Sequence, residues 1–149
     1  RTIALSNQLT RYKMNKVIEQ TIQFKDTTAS ELFDIFLNPV KHSQIHGGAT
    51  VKISKKEGDE FSILDGNLNG KNLLIVPDKM IVQSWRGNVW KENDLDSIVT
   101  LVFSDIKGGA QIYLTHSCTP KQFKELWKPV YWNPIKYYLA HQDQFIQAT

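Results

Sequence analysis

Val99-Thr-Leu-Val-Phe-Ser-Asp-Ile-Lys-Gly-Gly-Ala-Gln-Ile-Tyr-Leu-Thr-His116 is the stretch on which the reading of the fold turns. Val99, Leu101 and Phe103 alternate with Thr100 and Ser104, the two-residue period of a strand with one buried face. Lys107-Gly108-Gly109 reverses the chain, and Ile112, Leu114 and His116 repeat the alternation on the way back. The pair reads as an antiparallel hairpin. Upstream the pattern recurs. Leu68 to Val76 and Met80 to Arg86 read as strands joined by a turn at Pro77-Asp78-Lys79, and Phe61 and Ile63 as a shorter strand before the tight-turn dipeptide Asp65-Gly66. Val51 and Ile53 alternate with lysine and serine and are expected to add one more, ahead of a turn at Glu57-Gly58-Asp59.

Farther from the hairpin the period changes. Ile18, Gln20, Ile22 and Phe24 alternate with Glu19, Thr21, Gln23 and Lys25 as a first strand. Thr28-Ala-Ser-Glu31 then reads as a capping box, Thr28 and Glu31 satisfying each other's amides, followed by Ala29, Leu32, Phe33 and Phe36 at helical spacing. Asn38-Pro39 opens a second short helix, which Gly47-Gly48 ends. Beyond the hairpin, Thr119-Pro120 starts a short segment with Phe123, Leu126 and Trp127, closed by Pro129. Asn133-Pro134 caps a final helix with Ile135, Tyr138, Leu139, Gln142, Phe145 and Ile146 on one face. The expected class is α+β: a curved antiparallel sheet wrapped around a long C-terminal helix, with two short helices after the first strand. Such a sheet leaves room for a cavity beneath the helix.

Composition narrows the function. A chain of 149 residues, 41% hydrophobic and 22% charged, is one ordered domain with a full core. Its formal charge of +3 comes from Arg1, Arg11 and Lys13, so residues 14–149 are neutral and have no basic excess for nucleic acid. The single cysteine, Cys118, allows no internal disulfide. No apolar run reaches membrane-spanning length, and no membrane insertion is expected. The expected location is the cytoplasm. Met14 precedes the first structural signal at Lys16, so residues 1–15 are expected to be a flexible N-terminal extension and 16–147 a single domain.

The order of elements resembles the START-like, helix-grip superfamily. Within it, the motifs resemble the activator of heat shock protein 90 ATPase homologue-like family. They are Glu31-Leu-Phe33, Asp65-Gly-Asn-Leu-Asn-Gly70 and Val76-Pro-Asp-Lys-Met-Ile-Val82 leading into Trp85-Arg86 and Trp90, then Thr115-His-Ser117 and Tyr131-Trp132. The resemblance runs from about Val17 to Leu139, and it implies a helix-grip fold with an internal cavity and no shared catalytic apparatus. One branch of the family stimulates a chaperone ATPase. Leu126-Trp127 stands where many relatives carry Gly-Trp.

Sharper motifs weigh less. His42 and His46 share a helix face but lack a cysteine or well-spaced acid, so they are read as core or surface histidines rather than metal ligands. Cys118, two residues after His116, is read as a buried structural cysteine rather than a nucleophile. Asp65 and Asp78 serve turns, and Arg86 is expected at the surface. His116 is either hydrogen-bonded within the core or displayed to a ligand. The expected role is non-enzymatic binding of an apolar or amphipathic small molecule, with no cofactor, metal or catalytic residue. The expected site is Trp85, Leu101, Phe103, Leu114, His116, Trp127, Tyr131, Tyr138 and Leu139, with Trp85, His116 and Tyr138 supplying orientation. The alternative is a chaperone-associated stress-response module using its surface. An enzyme resembling the superfamily's aromatases and cyclases needs a positioned acid and base, and only His116 offers itself.

Overall fold

The computed structural model describes residues 17–120 and 123–145. Its strands are β1 (Ile18–Lys25), β2 (Glu60–Ile63), β3 (Leu68–Val76), β4 (Met80–Gly87), β5 (Ser97–Ile106) and β6 (Gly109–Ser117). The helices α1 (Ala29–Leu37) and α2 (Pro39–Ile45) follow β1, and α3 (Asn133–Ala140) follows β6. All strands join one antiparallel sheet in the order β1-β6-β5-β4-β3-β2. The central hairpin pairs Leu101 with Leu114 and Phe103 with Ile112, and β1 continues the rows by setting Gln20 against Leu114 and Ile22 against Ile112. The expected class is the observed one.

The helical layer covers the face on which Val99, Leu101, Phe103, Ile112 and Leu114 are buried. From α1, Phe33 and Phe36 set their rings edge-on against Phe103, with centroids 5.7 and 6.0 Å away. Asn38 Oδ1 accepts from the amides of Val40 and Lys41 and so starts α2 as its Asn-Pro sequence requires. The start of α1 is only half a capping box. Thr28 Oγ1 accepts from Glu31 N at 3.1 Å, but the Glu31 carboxylate accepts from Thr27 Oγ1 and Gln142 Nε2. A local hydroxyl and, from 111 residues on, Gln142 have captured the acid.

Four expectations need correction. Val51 and Ile53 form no strand; Lys52 makes a single bridge to Ser62. Cys118 is half-buried, and its φ of 60° breaks the alternation after β6, so it does not continue the face of His116. The last helix begins before Asn133. Pro129 sits in the first turn of a wide π-turn, Lys128–Trp132, which runs directly into α3. There Asn133 N–H donates to Lys128 O, while Pro134 has no N–H for the Val130 carbonyl four residues back, which accepts from His46 Nε2 at 2.9 Å. Finally, α3 stops at Ala140, so Gln142 lies in a following 3-10 turn and Phe145 is extended. Ile146 and the expected N-terminal extension lie outside the described residues.

One glycine of the Asp65–Gly70 motif is sterically required. A Cβ on Gly70 would stand 1.8 Å from Ser84 O and 2.6 Å from Cζ of Phe61. Gly70→Ala must therefore push β3 away from β4 or displace a buried ring. It is expected to cost about 2–4 kcal/mol in urea denaturation. An unchanged midpoint would mean that the strands do not approach so closely.

Candidate binding site

The face of the sheet beyond the hairpin carries a second kind of burial. On β4, Ile81, Gln83 and Trp85 all point inward, and Trp85 lies opposite Ser97. Trp85 stacks on Trp127 with centroids 5.1 Å apart, and Trp127 stacks in turn on Trp132 at 5.1 Å. Tyr131 leans on both Trp85 and Trp127. The wide π-turn brings Trp127, Tyr131 and Trp132 into this stack.

Beside the stack lies an apolar cavity of about 160 Å³. One wall is the β2–β3 turn, with Leu64, Asn67 and Leu68. A second is Trp85, Gly87 and the start of the β4–β5 loop, with Asn88, Val89 and Trp90. The third is Phe123, Leu126, Trp127, Val130 and Tyr131. Two of these wall residues, Val89 and Leu126, are exposed to solvent, at 56% and 41%. Arg86 fastens the loop from outside: its guanidinium donates to the carbonyls of Asp94 and Lys91 and to Asp96 Oδ1. It is a clasp on the loop that carries Trp90.

The polar tips of the wall are tied back into the protein. Trp127 Nε1–H donates to His116 Nδ1 at 3.1 Å, which makes Nε2 the protonated nitrogen; Nε2–H donates to Ser97 Oγ at 2.8 Å. Ser97 Oγ donates to the Trp85 carbonyl at 3.4 Å. Trp85 Nε1–H in turn donates to Gln83 Oε1, Gln83 Nε2 to Asn72 Oδ1, and Asn72 Nδ2 to the Ser54 and Lys56 carbonyls. One buried chain therefore orients both stacked indoles. Tyr131 OH donates to His42 Nε2 at 3.0 Å, because His42 Nδ1–H is committed to Phe36 O at 2.8 Å.

Burial sets the charge state of these groups. It pushes His116 down to about 3 and His42 to about 4, lowers His46, and raises the Tyr131 hydroxyl. All are neutral near pH 7. His46 donates Nε2–H to Val130 O, while its Nδ1 is buried with no hydrogen-bond partner among the described residues.

Of the expected site residues, Trp85, Trp127 and Tyr131 are brought together in the cavity wall. Leu101, Phe103, Leu114 and Tyr138 are buried in the core and Leu139 packs partly buried against it, none of them in the wall. His116 stands behind the wall, holding Trp127 rather than lining the space. Sequence reasoning passed over Trp90, Phe123, Leu126 and Val130 as walls, and Gln83, Asn72 and Ser97 as supports. Gln83 carried a signal, a polar side chain in the inward phase of a buried strand.

The model of the family described as Activator of Hsp90 ATPase homolog 1-like protein matches residues 26–139. The chain belongs to this family. The activator of 90 kDa heat shock protein ATPase homolog 1 of Homo sapiens is 29% identical over 115 residues, 74% of this chain and 33% of that protein. The activator homolog of Dictyostelium discoideum is 23% identical over 148 residues, 96% of this chain and 38% of that protein. The chain thus spans about a third of the length of the curated relatives it matches. Among solved structures, an HSP90 activator from Plasmodium falciparum superposes with a TM-score of 0.73 at 21% identity, covering 89% of this chain and 99% of that one. At that identity the likeness concerns the fold. No helix among the described residues of this family member is long and apolar enough to cross a membrane.

Proposed function

We propose that this domain is a binding module whose cavity accepts a compact apolar or amphipathic group of about one ring. The supporting observation is the cavity itself: about 160 Å³, with a predominantly apolar and aromatic wall held rigid by the Trp85–Trp127–Tyr131 stack. An apolar cavity of about 150 Å³ suits benzene, and drug-sized pockets start near ~300 Å³. The module reads a ring or a short branched chain rather than a whole sterol. Trp85, Trp127 and Tyr131 supply shape and apolar burial. His116 acts through Trp127, and no chemical step is assigned to any residue. A ligand of seven or eight heavy atoms is expected to bind with a Kd on the order of 0.1–1 mM.

Toluene titrated into the protein, followed by the indole N–H resonances, is the direct test. Saturable shifts at Trp85 and Trp127 are expected, and Val130→Phe, which fills the space, should weaken binding at least about tenfold. No saturable shift up to the solubility of the probe would sink the proposal.

The names of the relatives favour a second reading, a module that assists a 90 kDa heat shock protein. Its surface would make that contact. A purified chaperone of this class, assayed for ATPase rate with and without the domain, separates the two readings. Stimulation by native protein and Val130→Phe alike would make the chaperone contact independent of the cavity.

A further inference from the structure

The two edges of the sheet are finished differently. β2 is four residues long, and Lys52 of the preceding loop exchanges both main-chain hydrogen bonds with its Ser62, at 2.7 and 2.8 Å. Past the end of β2 the same loop serves β3: Gly58 N–H donates to Asn72 O, Asn72 N–H to Asp59 O, and Ile75 N–H to Glu57 Oε2. At the opposite edge β1 runs for eight residues without proline, glycine or bulge, and no strand lies beyond it among the described residues. Native sheets cover or blunt such an edge, because its unpaired amides and carbonyls are a template for another strand.

The register fixes which groups face out. Asp26 N–H donates to Gly108 O at 2.9 Å, in step with the pairing of β1 and β6. Hydrogen-bonded pairs alternate along an antiparallel ladder, so Phe24, Ile22, Gln20 and Ile18 also bond toward β6. Glu19, Thr21, Gln23 and Lys25 then point one N–H and one C=O apiece away from the sheet, and their side chains are exposed. Nor does α3 close this edge: an open groove of about 410 Å³ lies between Phe24 and Lys25 on one side and Lys136, Leu139 and Ala140 on the other.

We infer that β1 is the surface through which two copies of this chain associate, their β1 strands pairing antiparallel about a two-fold axis at Ile22 into one continuous sheet. In that register Thr21 meets the partner's Gln23 and Glu19 meets the partner's Lys25, so every outward N–H and C=O of these four residues gains a partner. The side chains agree with the backbone. Glu19 and Lys25 lie opposite each other on the outer face, twice by symmetry, while Ile22, partly buried in the single chain, meets its counterpart on the inner face. Tyr113 OH also reaches Glu19 from β6, and a carboxylate has lone pairs enough for both. A slip of two residues sets Lys25 against Val17 or Glu19 against Thr27 and loses the charge match. A slip of one sets outward groups against inward ones and loses the hydrogen bonds. None of these residues lines the cavity, so the contact is independent of the binding role proposed above.

Sedimentation equilibrium of the full chain over a concentration series measures the association. A dimer is expected, weak as small interfaces are, and populated by about 1 mM. Glu19→Lys and Lys25→Glu each place like charges opposite one another and should each weaken it at least about tenfold. Mixed together, the two variants are complementary and should form a heterodimer about as stable as the native dimer, a result that misfolding cannot mimic. In the native dimer the amides of Glu19, Thr21, Gln23 and Lys25 should gain protection from hydrogen exchange as the concentration rises. A monomer throughout the series would overturn the inference. So would a dimer whose affinity ignores both charge reversals, variants that fail to pair with one another, or outward β1 amides that stay unprotected.

Discussion

Lowering the pH from 7 to 4 is expected to destabilise the folded domain by roughly 3 kcal/mol for each of His42 and His116. An unfolded imidazole takes its proton near pH 6.5, whereas burial holds His42 at about 4 and His116 at about 3 in the folded protein. As the pH falls through 6.5 the unfolded chain binds protons that the folded one does not, so stability drops. Above 6.5 neither state is charged at these sites, and the curve is flat. The geometry explains why the rings resist. Protonation of His116 would put a proton on Nδ1, where Trp127 Nε1–H already points; at His42 the Tyr131 hydroxyl can turn to accept, and burial is what disfavours the charge. Asp34 enters only below its ordinary range: burial raises it, but hydrogen bonds from Lys41 and Lys55 outweigh that and lower it. Urea denaturation at half-unit steps of pH measures the effect. Between the unfolded and folded ranges these two histidines should contribute about 2.7 kcal/mol per pH unit, His46, which burial also lowers, adding to that slope, and His116→Gln removing one proton's worth. A flat profile from pH 7 to 5 would mean that these histidines are not buried neutral.

Trp127→Ala is expected to cost about 4–6 kcal/mol, a large share of the ~5–15 kcal/mol by which domains are ordinarily stable. The indole is 1% exposed and lies between Trp85 and Trp132, each at 5.1 Å, so its removal opens the centre of the stack. It also strips His116 Nδ1 of its donor, leaving a buried acceptor unpaired at about 1–3 kcal/mol. Trp127→Phe separates the two terms, since it keeps most of the packing and loses the hydrogen bond. Paired Trp127→Phe and His116→Leu variants complete a cycle in urea denaturation. A loss below about 1 kcal/mol for Trp127→Ala would contradict the stacked arrangement.

Particular residues show how far the chain could be read without its fold. Val99, Leu101, Phe103, Ile112 and Leu114 have one inward phase because strand side chains alternate, and that period is local. The same locality made Asn38-Pro39 a reliable helix start, while Pro129 and Asn133-Pro134 misled. A widened turn with Val130 O handed to His46 depends on a helix more than eighty residues away. Glu31 likewise left its expected amide for Thr27 and Gln142.

The cavity was legible only in part, since the inward phase of a strand does not distinguish a core position from a cavity wall. Leu101, Phe103 and Leu114 are packed over by the helical layer, whereas Trp85, on the same face, meets the space left between the β2–β3 turn and the π-turn. Trp90 belongs to a loop, where no period sets the direction of a side chain, and the Arg86 clasp closes that same loop mostly through backbone carbonyls, which carry no residue signature.

By itself the sequence determined the α+β class, the strand phases and the family, because period, turn chemistry and ordered motifs are written in neighbouring residues. Tertiary structure alone decided which aromatic rings face the cavity, which nitrogen of each histidine carries its proton, and which edge of the sheet is left open. Those depend on how layers stagger and on contacts between residues far apart in the chain, which no local pattern encodes.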